Sequence, residues 1–192
     1  MTRTFIAVEL GEQARTVLTA TIRDLAEALP GVRFVDPASM HLTLAFLGEL
    51  DDARLILAHE ATAVVAGEYL PFELAVGGLG VFGPHRAPRV IWAGVSGDIA
   101  RLTQLQRRLA DELTARGFPP EERAYSPHLT LARLKRPLAA DELARLERLL
   151  RAPDVDSAPI PVESLDVMKS ELARSGALYT RLRRYPLKHD RR

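Results

Sequence analysis

Apolar and polar residues along this chain change rhythm in a fixed order, and the order occurs twice. Arg3 to Leu10 (RTFIAVEL) is a short apolar run bounded by Gly11, which reads as a strand. Ala14, Val17, Leu18, Ile22, Leu25 and Leu29 then recur at three- and four-residue steps, one helical face, until Pro30-Gly31 stops them. After the connector VRFVDPASM comes HLTLAFL (His41 to Leu47), strand-like again. Asp51 and Asp52 stand where a helix N-cap is wanted, a second helix runs to about Gly67, and FELAVGGLGVFG makes the next strand.

The succession restarts at Arg89. RVIWAGVS is a strand, and Ile99, Leu102, Leu105, Leu109 and Leu113 mark a helix that ends at Gly117. HLTLARL (His128 to Leu134) follows, then a helix from Asp141 to Leu150 and a strand IPVESLDVMKS (Ile160 to Ser170). The two histidines are 87 residues apart and the strands before them, near Phe5 and Ile91, are 86 apart. This predicts a duplicated β-α-β-α-β unit, repeat one covering about residues 3–83 and repeat two about 89–170. A closing strand, about 177–187 (ALYTRLRRYPL), follows the second unit as RVIWAGVS follows the first. The expected fold is α+β and bilobal: two pseudo-symmetric lobes whose antiparallel-rich sheets face a central cleft and exchange strands, making residues 1–192 one domain.

Alternate side chains of a strand face opposite ways, so His41 and Thr43 share one face while Leu42 and Leu44 point into the core. His128 and Thr130 repeat that pattern against Leu129 and Leu131. If the lobes oppose these faces, two imidazoles and two hydroxyls meet in one cleft, a set suited to in-line displacement at phosphorus. A neutral imidazole takes a proton from water and an imidazolium protonates the departing oxygen. Threonine hydroxyls donate to the non-bridging oxygens, and neither a metal nor another cofactor is required. Duplication alone also accommodates a structural histidine buried within each lobe.

Composition narrows the setting. The 192 residues are 47% hydrophobic and 27% charged, ordinary for a soluble globular chain. A formal charge of +1 supplies no global basic field, so any phosphate recognition is local. Only Lys135, Lys169 and Lys188 among the 26 cationic residues are lysine, a bias that coding composition explains. The absence of cysteine removes disulfides, thiolate metal sites and cysteine nucleophiles. The first residues hold too short an apolar run for a signal peptide and no stretch approaches a membrane span, so a cytoplasmic protein is expected.

The paired HLTL words resemble the two-histidine (2H) phosphoesterase superfamily, and most of all its bacterial RNA 2′,3′-cyclic phosphodiesterase branch, also called 2′-5′ RNA ligase. RTFIAVEL, FVDPASMHLTLAFLGEL, PRVIWAGV, SPHLTLARL and VESLDVMKSEL followed by Tyr179 carry the resemblance over nearly the whole chain. It implies hydrolysis of a terminal RNA 2′,3′-cyclic phosphate to a 2′-phosphomonoester. His41 would be the general acid, His128 the general base, and Thr43 and Thr130 the phosphate ligands. The expected partner is an RNA or oligonucleotide with a cyclic-phosphate end, with nucleotides as further ligands, and a monomer suffices. The rival readings are a non-catalytic nucleotide or RNA phosphate-binding module and a reversible 2′-5′ RNA ligase.

Phe46 and Arg133 lie five residues after their histidines and are where the two words differ. The resemblance implies that the aromatic ring approaches a base and the arginine the phosphate. An odd offset nevertheless puts both on the core face of a regular strand. A core-facing, unpaired Arg133 is costly, so a bend is expected there, whereas Phe46 reads equally as core. His59, inside a helix, and His189, in a polar tail, are expected to be solvated, as is His85 in the turn-rich GPHRAPR. Arg181, Arg183 and Arg184 alternate imperfectly on the last strand, which reads as a solvated edge or as a phosphate contact.

Overall fold

The two histidine-bearing strands are edge strands of two separate four-stranded antiparallel sheets. The computed structural model describes residues 1–121, 123–151, 157–173 and 176–189. Its first half runs β1 (Thr2–Glu9), α1 (Glu12–Ala28), a 3-10 turn (Pro37–Ser39), β2 (His41–Leu50), α2 (Asp52–Ala66) and β3 (Phe72–Phe82). The second half runs β4 (Val90–Gly97), α3 (Ile99–Ala115), β5 (His128–Arg133), α4 (Ala140–Leu150), β6 (Ala158–Val162), β7 (Ser164–Ala173) and β8 (Gly176–Pro186). This is the α+β, two-lobed arrangement that the repeated pattern predicts.

The first sheet has the order β2-β1-β7-β8 and the second β5-β4-β3-β6. Each unit keeps its first two strands together and lends a later one to the opposite sheet, β3 pairing with β4 and β7 with β1. One expectation is corrected: the closing strand β8 is an outer edge strand on β7, matched in the other sheet by β6 on β3, whereas β4 is a central strand in the place of β1. A second is corrected as well: Ile160 to Ser170 is not one strand. β6 ends at Val162, the chain crosses at Glu163, and β7 begins in the other sheet. Pro159 and Pro161 explain the division, because a residue without an N–H fits a sheet edge, and β6 pairs only with β3.

Leu18 and Leu25 of α1, Leu102, Leu105 and Leu109 of α3 and Leu146 of α4 are fully buried, in one cluster with Ile6, Leu42, Ile91 and Leu129 of the two sheets. Asp51 caps α2 by accepting from Arg54 N at 2.8 Å, and Asp98 caps α3 by accepting from Arg101 N at 3.0 Å. At α4 the Glu142 carboxylate reaches back to Ala139 N at 2.8 Å and takes both terminal nitrogens of Arg136, at 2.7 and 2.8 Å. The Arg136 hydrogen bonds, then the Ala139 N–H, hold that carboxyl at about 2. A depressed carboxyl contributes stability above its usual 4.5 that is lost as pH falls toward about 2. Glu142→Gln is therefore expected to flatten the fall of the thermal midpoint over that window, as a melting series in pH will show.

Two contacts set the edges beside each other. Phe34 bridges to Ala132, and Val35 N donates to Leu131 O at 2.8 Å, so the connector covers the outer edge of β5 before it delivers the chain to His41. Cα atoms of β2 and β5 approach within 8 Å, and the Tyr125 hydroxyl donates to Thr43 O at 3.2 Å.

Candidate active site

The strand parity conflict at Phe46 and Arg133 is resolved by a bulge that occurs at the same letter of both words. In β2, Ala7 pairs with Thr43 and Ile6 with Ala45, leaving Leu44 without an opposite residue. In β5, Trp92 pairs with Thr130 and Ile91 with Ala132, leaving Leu131 without one. Each bulge adds one residue and reverses the parity beyond it, while both leucines stay buried. Phe46 therefore returns to the face of His41 and Thr43, where the residue is 56% exposed, and Arg133 returns exposed to the face of His128 and Thr130. The core alternative for Phe46 is excluded, and the bend expected near Arg133 is this bulge.

Both imidazoles are held in the same way. His41 Nδ1 lies 3.0 Å from Ser39 O, and His128 Nδ1 lies 2.8 Å from Ser126 O. A carbonyl oxygen only accepts, so Nδ1 carries the proton in each ring and Nε2 is left to exchange one. His41 stacks on Phe5 at 4.4 Å between centroids and meets the Tyr179 ring edge-on at 4.8 Å. His128 meets Phe82 edge-on at 4.8 Å. Burial lowers the His41 pKa below its usual 6.5; the Ser39 carbonyl opposes this and the Arg15 charge adds to it.

Among the described residues the Thr43 and Thr130 hydroxyls have no hydrogen-bond partner within the protein, and Arg133 makes no ion pair. These are unused donors on the two histidine faces. Matched acid-base groups, free hydroxyls and a free guanidinium form a set able to bind a phosphodiester and move protons at it. The family model of the 2′-5′ RNA ligase superfamily matches residues 9–174. The chain belongs to that superfamily.

Relatives within the 2′-5′ RNA ligase superfamily span the whole fold. The RNA 2′,3′-cyclic phosphodiesterase of Methanothermobacter thermautotrophicus is 36% identical over 93% of this chain and 95% of its own. The Thermotoga maritima protein of the same name is 32% identical over 92% of this chain and 91% of its own. Among solved structures, TT0787 of Thermus thermophilus superposes with a TM-score of 0.75 at 30% identity, covering 97% of this chain and 98% of that one. E. coli LigT complexed with 3′-AMP gives 0.69 at 25% identity, covering 98% and 99%.

Several groups around the two histidines escaped sequence reasoning. Phe5 and Phe82 wall the imidazoles from β1 and β3, strands distant in sequence from the residue they touch, and Tyr179 of β8, which the sequence reading named only as part of the resemblance, meets His41 edge-on. Arg15 of α1 donates to Leu10 O at 3.1 Å and Pro37 O at 3.0 Å and also bonds Ala38 O, strapping the turn that ends at Ser39. One signal was present: both words are preceded by serine two residues before the histidine, Ser39 and Ser126, the carbonyls that fix the tautomers. Arg181 and Arg184 are not free for phosphate, since both pair with Glu9, and Arg184 Nε also holds Asp166 at 3.1 Å. Their imperfect alternation reflects a further bulge, at Leu182. His59 is half-buried rather than solvated, its Nδ1 sharing a 2.9 Å hydrogen bond with the Tyr185 hydroxyl.

Proposed function

We propose that this chain hydrolyses RNA 2′,3′-cyclic phosphate ends to 2′-phosphomonoesters, with His128 as general base and His41 as general acid. The carrying observation is the matched anchoring of both Nδ1 atoms on serine carbonyls, which leaves two Nε2 atoms for proton transfer on neighbouring edge strands. His128 Nε2 takes a proton from water as the water oxygen bonds to phosphorus. The P–O3′ bond breaks, and His41 Nε2–H gives its proton to the departing oxygen. The 2′ ester remains, and exchange with solvent restores both rings. Thr43, Thr130 and Arg133 donate to the non-bridging oxygens, and Phe46 offers its exposed ring to a base of the RNA.

The relatives' shared name, RNA 2′,3′-cyclic phosphodiesterase, supports the reaction class. The LigT structure with 3′-AMP supports nucleotides as further ligands. Among the described residues no helix is long and apolar enough to cross a membrane. Action in the cytoplasm as a monomer, without a metal, completes the proposal. The test is an oligonucleotide ending in a 2′,3′-cyclic phosphate, incubated with the protein in excess chelator. A 2′-phosphate product is expected; a 3′-phosphate product, no turnover, or turnover only with added metal would refute it.

The pH profile follows from the burial of His41. The acid must be protonated, so activity falls as pH rises through its pKa, and in the free protein that pKa lies below 6.5. The falling limb of kcat/KM is expected below this value. The bound cyclic phosphodiester, a monoanion, favours the imidazolium, so the same limb should move to higher pH in kcat. Coincident limbs would refute this account of His41.

A further inference from the structure

A cavity of about 420 Å³ opens beside His41 on the first sheet, and His128 is not among the residues that line it. Its size falls in the range of small-molecule sites, roughly 300–1,000 Å³. Apolar walls come from Met168, Leu178 and the ring of Tyr179, and charged groups from three carboxylates, Glu9, Asp36 and Asp166, and two guanidiniums, Arg15 and Arg181. The charges are internally matched, with Glu9 holding Arg181 and Arg184, and Asp166 held by Arg184. A balanced set of carboxylates and guanidiniums gives little attraction for a second phosphate, whereas apolar walls with a few fixed polar atoms suit a neutral ring system.

The asymmetry of the cavity matches that of the reaction. In an in-line displacement the water enters opposite the departing 3′ oxygen, and that oxygen and the retained 2′ oxygen belong to one ribose. The ribose and its base therefore stand on the side of the acid, and only the acid borders the cavity. Within the cavity Glu9 keeps an acceptor in reserve. Its Oε2 is taken by Arg181 and Arg184, but Oε1 has, among the described residues, only Arg15 Nη2 nearby at 3.7 Å, too far for a hydrogen bond.

We propose that this cavity receives the ribose and base of the nucleotide that carries the cyclic phosphate, and that Glu9 Oε1 favours bases with an exocyclic amino group over uracil. The inference rests on the reading of His41 as the acid of a cyclic phosphodiesterase. An amino N–H donates to a carboxylate, while uracil presents a carbonyl oxygen at the equivalent place and would be repelled. Phe46 lies outside the cavity and is left for the preceding base of a longer RNA.

The test compares steady-state hydrolysis of 2′,3′-cyclic CMP, 2′,3′-cyclic UMP and ribose 2′,3′-cyclic phosphate, which has no base. The wild type is expected to prefer the cytidine substrate over both others. Leu178 is 56% exposed at the cavity wall, so Leu178→Trp fills the mouth without burdening the core. It should lower the kcat/KM ratio of cyclic CMP to base-free substrate by about 10-fold, mainly through KM. Glu9→Gln, whose amide both donates and accepts, should bring the cytidine-to-uridine ratio toward one. An unchanged CMP to base-free ratio in Leu178→Trp overturns the cavity assignment, the more so if Phe46→Ala lowers it instead. An unchanged cytidine-to-uridine ratio in Glu9→Gln overturns the role of that carboxylate. Absence of turnover on all three substrates by the wild type would instead refute the proposed activity itself.

Discussion

His128→Ala is expected to lower kcat on a 2′,3′-cyclic end by about 10²–10⁴-fold, the range for loss of a positioned general base or acid. His41→Ala should lose a similar amount on the same substrate. Neither loss is expected to reflect unfolding. Among the described residues His128 hydrogen-bonds only the Ser126 carbonyl, and it lies half-exposed at a sheet edge, so truncation should cost about 1 kcal/mol of stability. His41 is packed between Phe5 and Tyr179 and should cost more, which makes a melting curve a necessary control. The two roles separate on a phosphodiester with a nitrophenyl leaving group, which departs without protonation. On that substrate His41→Ala should retain most of the wild-type rate while His128→Ala remains impaired. Equal impairment of both variants would refute the division into acid and base.

The second large effect is expected at Gly80, which no chemical reading of the sequence singles out. A Cβ there would lie 2.1 Å from the indole ring of Trp92, its cross-strand partner. The indole rests against the backbone of Gly80, and beyond it Trp92 packs on Phe82 at 5.3 Å, the ring that meets His128 edge-on. Gly80→Ala must displace the indole. A loss of about 1–3 kcal/mol is expected from overpacking, together with reduced turnover as the support of His128 shifts. Adding Trp92→Leu to Gly80→Ala should recover part of the stability, because the two changes share one contact and are not additive. Wild-type stability in Gly80→Ala alone would show that Trp92 is free to move aside.

Much of the fold was legible because its signals are local. The HLTLA words, the helix-period leucines and the N-cap at Asp51 each lie within one element, and the structure places them as read. The break at Glu163 was missed although Pro159 and Pro161 announced it, since a proline pair reads as an edge only once the sheet that owns the edge is known. Arg133 shows a middle case. The cost of burying an unpaired guanidinium demanded a bend, but locating it at Leu131 required the register against Ile91 and Trp92. For Phe46 the same local reasoning left core and site balanced, and the bulge at Leu44 decided between them.

The sequence by itself determined which side chains alternate inward and outward as far as Leu44 and Leu131, where helices begin, and that one unit was written twice, because these depend on short stretches of chain. Only the tertiary structure decided that β3 and β7 change sheets and that a bulge turns Phe46 and Arg133 back to the histidine faces. It alone brought Glu9, Asp166, Tyr179 and Arg181 around His41. The physical reason is range. Strand partners and cavity walls are chosen by packing and hydrogen bonding between residues far apart in the chain, such as the 172 positions that separate Glu9 from Arg181, and no periodicity within either segment encodes that meeting.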